Sequence, residues 1–326
     1  MKLKIIDFLK ENDNEFVSGE QISRNLGITR AAVWKHINSL KENGYNIESV
    51  SKKGYKLTMC PDVLSHEELK NHLNTEFIGR NIIHFNELDS TNSYAKSISD
   101  KLEGEGHVVI TEKQLSGRGR LGRTWISQNN KGIWMSIILR PKISIFEVSK
   151  ITQVAAAAVN LAFSAQGIDT QIKWPNDLII NDKKICGILT EMSSEINTIN
   201  YVVVGIGINV NNDTDDFSDE LKYTATSIKI ETNKEVKRNI LTADVLNNFE
   251  KLYVELNNND FSRTLDICRK NSYVIGKEIN LIKNQEVKEA KAIDINNEGE
   301  LVVRYENGET DNIISGEISV RLRKNK

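Results

Sequence analysis

The densest chemistry in this chain lies between Ser116 and Trp125, where Arg118, Arg120 and Arg123 are interleaved with Gly117, Gly119 and Gly122. Guanidinium forks grip carboxylates and phosphates through paired hydrogen bonds, and glycines let the backbone approach a ligand closely and move. A flexible arginine loop of this kind suits two anions that must be brought together. The glycines also satisfy the G-x-G-x-x-G dinucleotide pattern, but that pattern needs a helix directly after it. Thr124 to Gly132 makes a poor helix, so the dinucleotide reading is rejected. On this segment alone, a solvated basic loop and an RNA-binding arginine-glycine patch remain alternatives.

A second segment narrows the choice. Lys173-Trp-Pro-Asn-Asp177, a turn at Asn181-Asp182, and Lys184-Ile-Cys-Gly187 place a carboxylate and a lysine on adjacent antiparallel strands, facing each other across the turn. Asp177 can hold Mg²⁺, and Lys184 can act as a point charge on a phosphate. Lys183 competes for the same role. Lys184 is preferred because it directly precedes Ile-Cys-Gly and spaces correctly from Asp177. Further on, Val202 to Asn209 reads as a buried strand ending in glycines and an amide. The acidic loop from Asn211 to Glu220 is long enough to serve as a lid.

The elements that must position these groups form an α+β domain over residues 63–275. Helical periodicity covers Thr91 to Ser99, Ile145 to Gln166 and about Asn239 to Asn258. Strand patterns cover Ile82 to Asn86, His107 to Thr111, Gly132 to Leu139, Gln171 to Trp174, Leu178 to Ile180, Lys184 to Met192 and Tyr201 to Ile208. Hairpins dominate, without a regular βαβ alternation. Residues 276–326 carry five short β-rich runs with Asn-Asn-Glu-Gly and Glu-Asn-Gly-Glu turns between some of them, which predicts a small β-barrel. The runs are Glu278 to Ile282, Val287 to Ile295, Leu301 to Tyr305, Asn312 to Ser315 and Ile318 to Leu322.

Residues 1–62 read differently. Leu3, Ile6 and Leu9 repeat at helical spacing, Ser18-Gly-Glu-Gln21 is a capping box opening a second helix, and Gly27 ends it. Thr29 then caps a third helix whose buried stripe is Val33, Ile37 and Leu40. Two short strands, Tyr45 to Val50 and Gly54 to Leu57, flank a basic tip at Lys52 and Lys53. This is a winged helix-turn-helix pattern. Its DNA-facing residues are Ser18, Thr29, Arg30, Ala31, Trp34, Lys35, Asn38, Lys52 and Lys53, types that suit phosphate and base-edge contacts. A plain three-helix packing module is the competing reading.

Composition sets the outer limits. The chain has 326 residues, 43 Lys+Arg against 45 Asp+Glu, 39% hydrophobic and 27% charged residues. That excludes a largely disordered chain and predicts two or three domains. Residues 1–60 hold 10 Lys+Arg against 7 Asp+Glu, leaving 33 against 38 for the rest, so the basic excess sits at the winged helix. No apolar run reaches the ~18 residues of a membrane span, and the N-terminus does not read as a signal peptide, which predicts a cytoplasmic protein. Cys60, Cys186 and Cys268 stand far apart, as small buried hydrophobes and not as a metal or disulfide set.

Several motifs in order resemble the bifunctional biotin protein ligase and biotin operon repressor family. They are Asp89-Ser-Thr-Asn92, Gln114, Gly117 to Trp125, Lys173 to Asp177, Lys184 to Gly187 and Gly205-Ile-Gly-Ile-Asn209. The resemblance covers essentially the whole chain. It departs from the family pattern at the lid, Val210 to Thr224, where Phe217 is a candidate cover for the nucleotide, and Leu121 occupies a variable position of the arginine loop. What it implies is a central mixed ligase domain with an antiparallel-rich sheet, followed by an SH3-like barrel. The implied activity joins biotin to ATP with Mg²⁺, giving biotinyl-5'-AMP, and passes biotin to a lysine of a carboxylase's biotin carboxyl carrier domain.

By the same resemblance Ser90, Thr91, Asn92, Gln114, Arg118, Gly119 and Arg120 lie along biotin. Lys184 meets both the biotin carboxyl and the α-phosphate, and with Arg118 and Arg120 forms the catalytic set. Asp177 takes the metal, Trp125 the adenine, Asn209 the pyrophosphate, and Arg123 joins the nucleotide set. The adenylate is expected to act as corepressor, promoting a homodimer through the central sheet and tight binding to operator DNA. Two alternatives stay open: a metabolite-sensing transcription factor without ligase activity, and a related lipoate-type ligase.

Overall fold

The computed structural model describes residues 1–12, 15–42, 44–196, 198–283, 286–314 and 319–322. The chain divides into two compact units, Met1–Val63 and Leu64–Lys326.

The first unit contains α1 (Lys2–Glu11), α2 (Gly19–Leu26), α3 (Arg30–Glu42), β1 (Asn46–Val50) and β2 (Gly54–Met59). The capping box forms as expected, with Gln21 N donating to Ser18 Oγ at 3.1 Å and Ser18 N to Gln21 Oε1 at 2.8 Å. Gly27 closes α2 in the left-handed region at φ 64°, where glycine carries no steric penalty. Ile5, Ile6, Leu9, Ile22, Val33, Ile37 and Leu40 pack together, so each helix spends its apolar stripe on this small core. The side chain of Leu3 lies outside the described residues. Strand β1 begins one residue later than expected, and Tyr45 is buried in that core. A backbone bridge between Val17 and Tyr55, 2.8 Å in each direction, ties the β1–β2 hairpin to the helices.

The second unit runs α4 (His66–Leu69), β3 (Ile82–Phe85), α5 (Thr91–Ser99), β4 (His107–Thr111), β5 (Gly132–Leu139), α6 (Val148–Ala165), β6 (Gln171–Lys173), β7 (Asp177–Ile180), β8 (Lys183–Glu195) and β9 (Thr198–Asn209). Next come α7 (Ile228–Thr232), α8 (Arg238–Asn257), α9 (Ser262–Lys270), β10 (Glu278–Lys283), β11 (Glu286–Ile295), β12 (Leu301–Arg304), β13 (Thr310–Ile313) and β14 (Ser319–Leu322). A seven-stranded sheet has the order β3-β4-β5-β9-β8-β7-β6. Its ladders are antiparallel except β3 with β4, a parallel pair joined through α5. Hairpins alone did not foresee that one crossover.

Strand alternation assigns the two faces. Ile133, Met135, Ile137 and Leu139 of β5, with Val202, Val204, Ile206 and Ile208 of β9, turn toward the core shared with α6 and α8. On the other face Ile138 and Val203 pack with Ala95 of α5, while Gly205, Gly207 and, on β8, Gly187 carry no side chain. These three glycines open a gap in that face of the sheet near α5.

The last five strands form an antiparallel sheet ordered β13-β12-β11-β10-β14. Among the described residues no ladder joins β13 to β14. Ser315 and Ile318, expected at strand ends, lie outside the described residues. Gly299 O receives both Gln153 Nε2 at 2.7 Å and Trp174 Nε1 at 3.0 Å, which anchors the β11–β12 turn on α6 and the turn after β6. Cys186 and Cys268 are buried free thiols as expected, whereas Cys60 is only half-buried.

Candidate functional site

A pocket opens at this gap in the sheet. Ser90, Thr91, Asn92, Gln114, Arg118, Gly119, Arg120, Trp125 and Lys184 from the expected site line it, together with Asn176 and the three sheet glycines. Ser90 is the N-cap of α5 and accepts from Ser93 N, so Thr91 and Asn92 occupy the first helical turn, buried, with their polar ends beside the sheet. Thr91 N donates to Gln114 Oε1 at 2.9 Å and Gln114 Nε2 to Ser127 Oγ at 2.9 Å. Asn92 Nδ2 donates to Leu189 O and to Glu191 Oε2. At Gly205 a Cβ would stand 2.2 Å from Asn92 Oδ1, so a side chain there would displace the amide.

The arginine loop is more closed than its composition suggests. Gly119 N donates to Arg123 O at 2.7 Å and Trp125 N to Gly117 O at 2.9 Å, drawing the loop into a narrow turn. Leu121 sits at its tip at φ 56°, exposed. Arg120 Nη1 donates to Asn176 Oδ1 at 2.8 Å, pinning the loop to the β6–β7 turn. Burial draws the Arg120 guanidinium below its ordinary pKa, the Asp177 charge opposes this, and Arg123 adds to it.

Lys184 Nζ lies 2.6 Å from Asp177 Oδ1 and 5.2 Å from the centre of the Trp125 ring. Its backbone is held on the open side as well, with Lys184 N donating to Thr224 O and Thr226 N to Lys184 O. Lys183 instead pairs in register with Ile180 at the hairpin end. The Trp125 ring rests over Gly187 and Gly207, where a Cβ would come within 2.8 Å of it, and meets Trp134 edge-on at 6.2 Å.

Three expected residues stand off this wall. Asp177 is one step behind it, on Lys184. Arg123 is exposed at the foot of the arginine loop. Asn209 is buried at the end of β9, where its Nδ2 donates to Thr226 O at 3.0 Å. Phe217 is also buried, within a loop that Lys131 and Lys229 tie down through ion pairs to Asp213. In the first unit Thr29, Arg30, Ala31, Trp34, Lys35, Lys52 and Lys53 are exposed and Asn38 half-exposed, whereas the Ser18 hydroxyl caps α2.

Sequence reasoning passed over several neighbours. Lys173 is pulled below its ordinary pKa by burial; Asp177 opposes this, and the charges of Lys184, Arg321 and Arg123 add to it. Cations from β8, β14 and the arginine loop therefore gather around Lys173, with Asp177 as the opposing charge. Ser136, Glu191 and Asn176 were missed too, although the Asn176 signal was present in its own motif. Among the described residues no cluster of three His, Cys, Asp or Glu could hold a metal by itself.

The Biotin/lipoate A/B protein ligase family model matches residues 85–209, an HTH domain model residues 2–56, and the Biotin protein ligase C terminal domain model residues 274–321. The bifunctional ligase/repressor BirA of Bacillus subtilis is 39% identical over 309 residues, covering 94% of this chain and 95% of that protein. The chain belongs to the bifunctional biotin ligase/repressor family. Its Escherichia coli relative of the same description is 34% identical over 212 residues, 64% of this chain and 63% of that one. Among solved structures, the biotin protein ligase from Aquifex aeolicus in complex with biotin and ATP aligns with a TM-score of 0.65 at 27% identity, covering 75% of this chain and 100% of that one. Family membership accounts for the order of domains, helix-turn-helix first, ligase second and small β-sheet last.

Proposed function

We propose that this biotin protein ligase condenses biotin with ATP to biotinyl-5'-AMP and pyrophosphate, then transfers biotin to a lysine of a biotin carboxyl carrier domain. The observation that carries the reading is the Lys184 ammonium, fixed between Asp177 and the Trp125 ring at the mouth of a polar pocket. A carboxylate oxygen must attack the α-phosphorus while the bond to the β-phosphate breaks, and mutual repulsion is the first barrier. Fixed positive charge lowers it. Arg118, Arg120 and Lys184 supply that charge, with Lys184 shared by the biotin carboxylate and the α-phosphate. Ser90, Thr91, Asn92, Gln114 and Gly119 hold the biotin end, and Trp125, Arg123 and Asn209 the nucleotide end.

Asp177 offers one carboxylate, already ion-paired with Lys184, and among the described residues no group of three His, Cys, Asp or Glu forms a ready-made metal cage. That fits a cation carried in by the nucleotide's own phosphates, with Asp177 completing its shell. When bound, Mg²⁺ neutralises phosphate charge and helps pyrophosphate leave. In the second half-reaction a lysine amine attacks the biotinyl carbonyl and AMP departs.

Residues 1–62 form the DNA-binding domain in this reading, 63–275 the catalytic domain and 276–326 the C-terminal domain. Ser18, Thr29, Arg30, Ala31, Trp34, Lys35, Asn38, Lys52 and Lys53 face operator DNA, and the adenylate acts as corepressor by promoting a homodimer. The basic excess of residues 1–60 and the exposed face of α3 support it. Among the described residues no helix is long and apolar enough to cross a membrane; a cytoplasmic location is part of the proposal. Incubating the protein with biotin, ATP, Mg²⁺ and a carrier domain tests the reading by intact mass. One biotinyl group on the carrier supports it. An unmodified carrier, with biotin bound but never activated, would favour the metabolite-sensing alternative.

A further inference from the structure

Beneath the pocket floor lies a hydroxyl that the reaction itself does not use. Ser136, at the middle of β5 and fully buried, has its Oγ 2.6 Å from Asn92 Oδ1 and 2.8 Å from Thr91 Oγ1. A hydroxyl carries one proton, so it cannot donate to both. The Asn92 amide decides between them. Its Nδ2 faces two acceptors, Leu189 O at 3.1 Å and Glu191 Oε2 at 2.8 Å, and Lys96 Nζ clamps the other Glu191 oxygen at 2.5 Å. Burial pushes the Glu191 carboxyl up, but the hydrogen bonds from Lys96 and Asn92 and the charges of Lys96 and Arg118 outweigh it and hold the group below its ordinary pKa. The atom facing Ser136 is therefore the amide oxygen, which only accepts.

It follows that Ser136 donates to Asn92 and can only accept from Thr91. The Thr91 proton is drawn into the protein, toward Ser136 Oγ at 2.8 Å or Gln114 Oε1 at 3.2 Å. Gln114 cannot reverse this, because its Oε1 already takes Thr91 N–H and its Nε2 serves Ser127. What Thr91 turns to the pocket is a lone pair. Beside it, Ser90 Oγ accepts from Ser93 N and keeps its own proton to give.

We propose that Ser136 is a positioning residue: locked by Asn92, Glu191 and Lys96, it sets Thr91 as a hydrogen-bond acceptor and so selects a ligand ring that carries N–H. The inference rests on the biotin reading above and deepens it. A ureido ring supplies N–H to Thr91 and C=O to Ser90. A ring without N–H leaves the Thr91 oxygen desolvated and unpaired, which a buried polar site penalises.

Steady-state adenylation of biotin and of biotin methylated at either ureido nitrogen, by the full-length wild type and by Ser136→Ala and Ser136→Thr, tests the proposal. In wild type, methylation of one nitrogen raises KM at least about tenfold, the scale of one lost hydrogen bond with its partner left buried. In Ser136→Ala, KM for biotin rises about tenfold, the preference over the methylated analogue collapses, and kcat and the ATP KM stay within twofold. Ser136→Thr restores both. Unchanged biotin KM and preference in Ser136→Ala overturn the proposal, as does a uniform loss in kcat and both KM values with a lower thermal midpoint. Should Ser136→Ala not fold, equal wild-type KM for biotin and both analogues overturns it alone. A wild type that activates neither biotin nor its analogues refutes the ligase reading instead, so the two failures are distinct.

Discussion

Lys184 Nζ stands 2.6 Å from Asp177 Oδ1 although the two residues are not register partners, Asp177 lying opposite Gly187 and Lys184 opposite Ile179. A bulge between Leu178 and Ile179 shifts the ladder, and the lysine reaches along its own strand to the carboxylate. The glycine at 187 leaves room for that reach, since a Cβ there would come within 3.0 Å of Lys184 Nζ.

Lys184→Ala should therefore slow adenylate formation about 100- to 1000-fold while the fold survives, because it removes a fixed charge at the reacting phosphorus and no core volume. Lys183→Ala, at the hairpin end, should stay within a few-fold of wild type. Single-turnover quench-flow on both variants checks the pair. The reverse pattern would show that the wrong lysine has been placed at the phosphate.

How much of this was legible in the sequence depends on how local each signal is. Helix α5 has the expected bounds, Thr91–Ser99, because a serine N-cap and its apolar spacing are read within ten residues. The capping box at Ser18 and the stripe of α3 are equally local. By contrast the β3–β4 pairing is set by packing across the whole domain, and α9 carries only Thr264, Leu265 and Cys268 as buried residues, too few to reveal its period. In the site, motif residues were visible. Ser136 was not, since one serine inside an apolar strand looks like an interruption until Thr91 and Asn92 are seen above it. Arg321 was hidden for the same reason, its role depending on where β14 lands.

Arg120→Gly should weaken retention of the adenylate more than it slows synthesis. Arg120 pins the loop to Asn176, and without that tie the loop no longer shields the intermediate from water and from bystander amines. Release of labelled adenylate on rapid filtration should speed up, and an unrelated protein in the mixture should acquire biotin. Tight retention with slow synthesis would contradict a covering role.

Gly205→Ala should strike biotin use and spare the fold. The new Cβ would sit 2.2 Å from Asn92 Oδ1, so Asn92 and the Thr91 contact must move by a large fraction of an ångström. Misplacement on that scale predicts about a 100-fold loss in kcat/KM for biotin, with the ATP KM nearly unchanged. Wild-type kinetics in this variant would mean that the amide has space to yield.

Arg238 is fully buried and donates to Glu112 Oε2 at 2.8 Å and to Gly132 O at 3.0 Å. Glu112 also takes Leu64 N and faces His84 Nε2. Burial pushes the Glu112 carboxyl up, yet the His84 hydrogen bond, the Arg238 charge and the Leu64 amide together hold it below its ordinary 4.5. A depressed carboxylate contributes stability above that ordinary value and loses it as pH falls through the lower folded one. Arg238→Ala should cost about 3 to 5 kcal/mol at neutral pH by leaving Glu112 buried and charged. The difference from wild type in urea unfolding should shrink below pH 4.5 as Glu112 takes up a proton. A pH-independent difference would assign the loss to packing alone.

Exchange of labelled pyrophosphate into ATP, with biotin or lipoate supplied separately, tests the central claim most directly, because it reports formation of the acyl adenylate and nothing downstream. The wild type should exchange with biotin, require Mg²⁺, and show none with lipoate; Lys184→Ala should exchange at background. Exchange with lipoate but not biotin, or with neither, would contradict the assignment of this pocket to biotin activation.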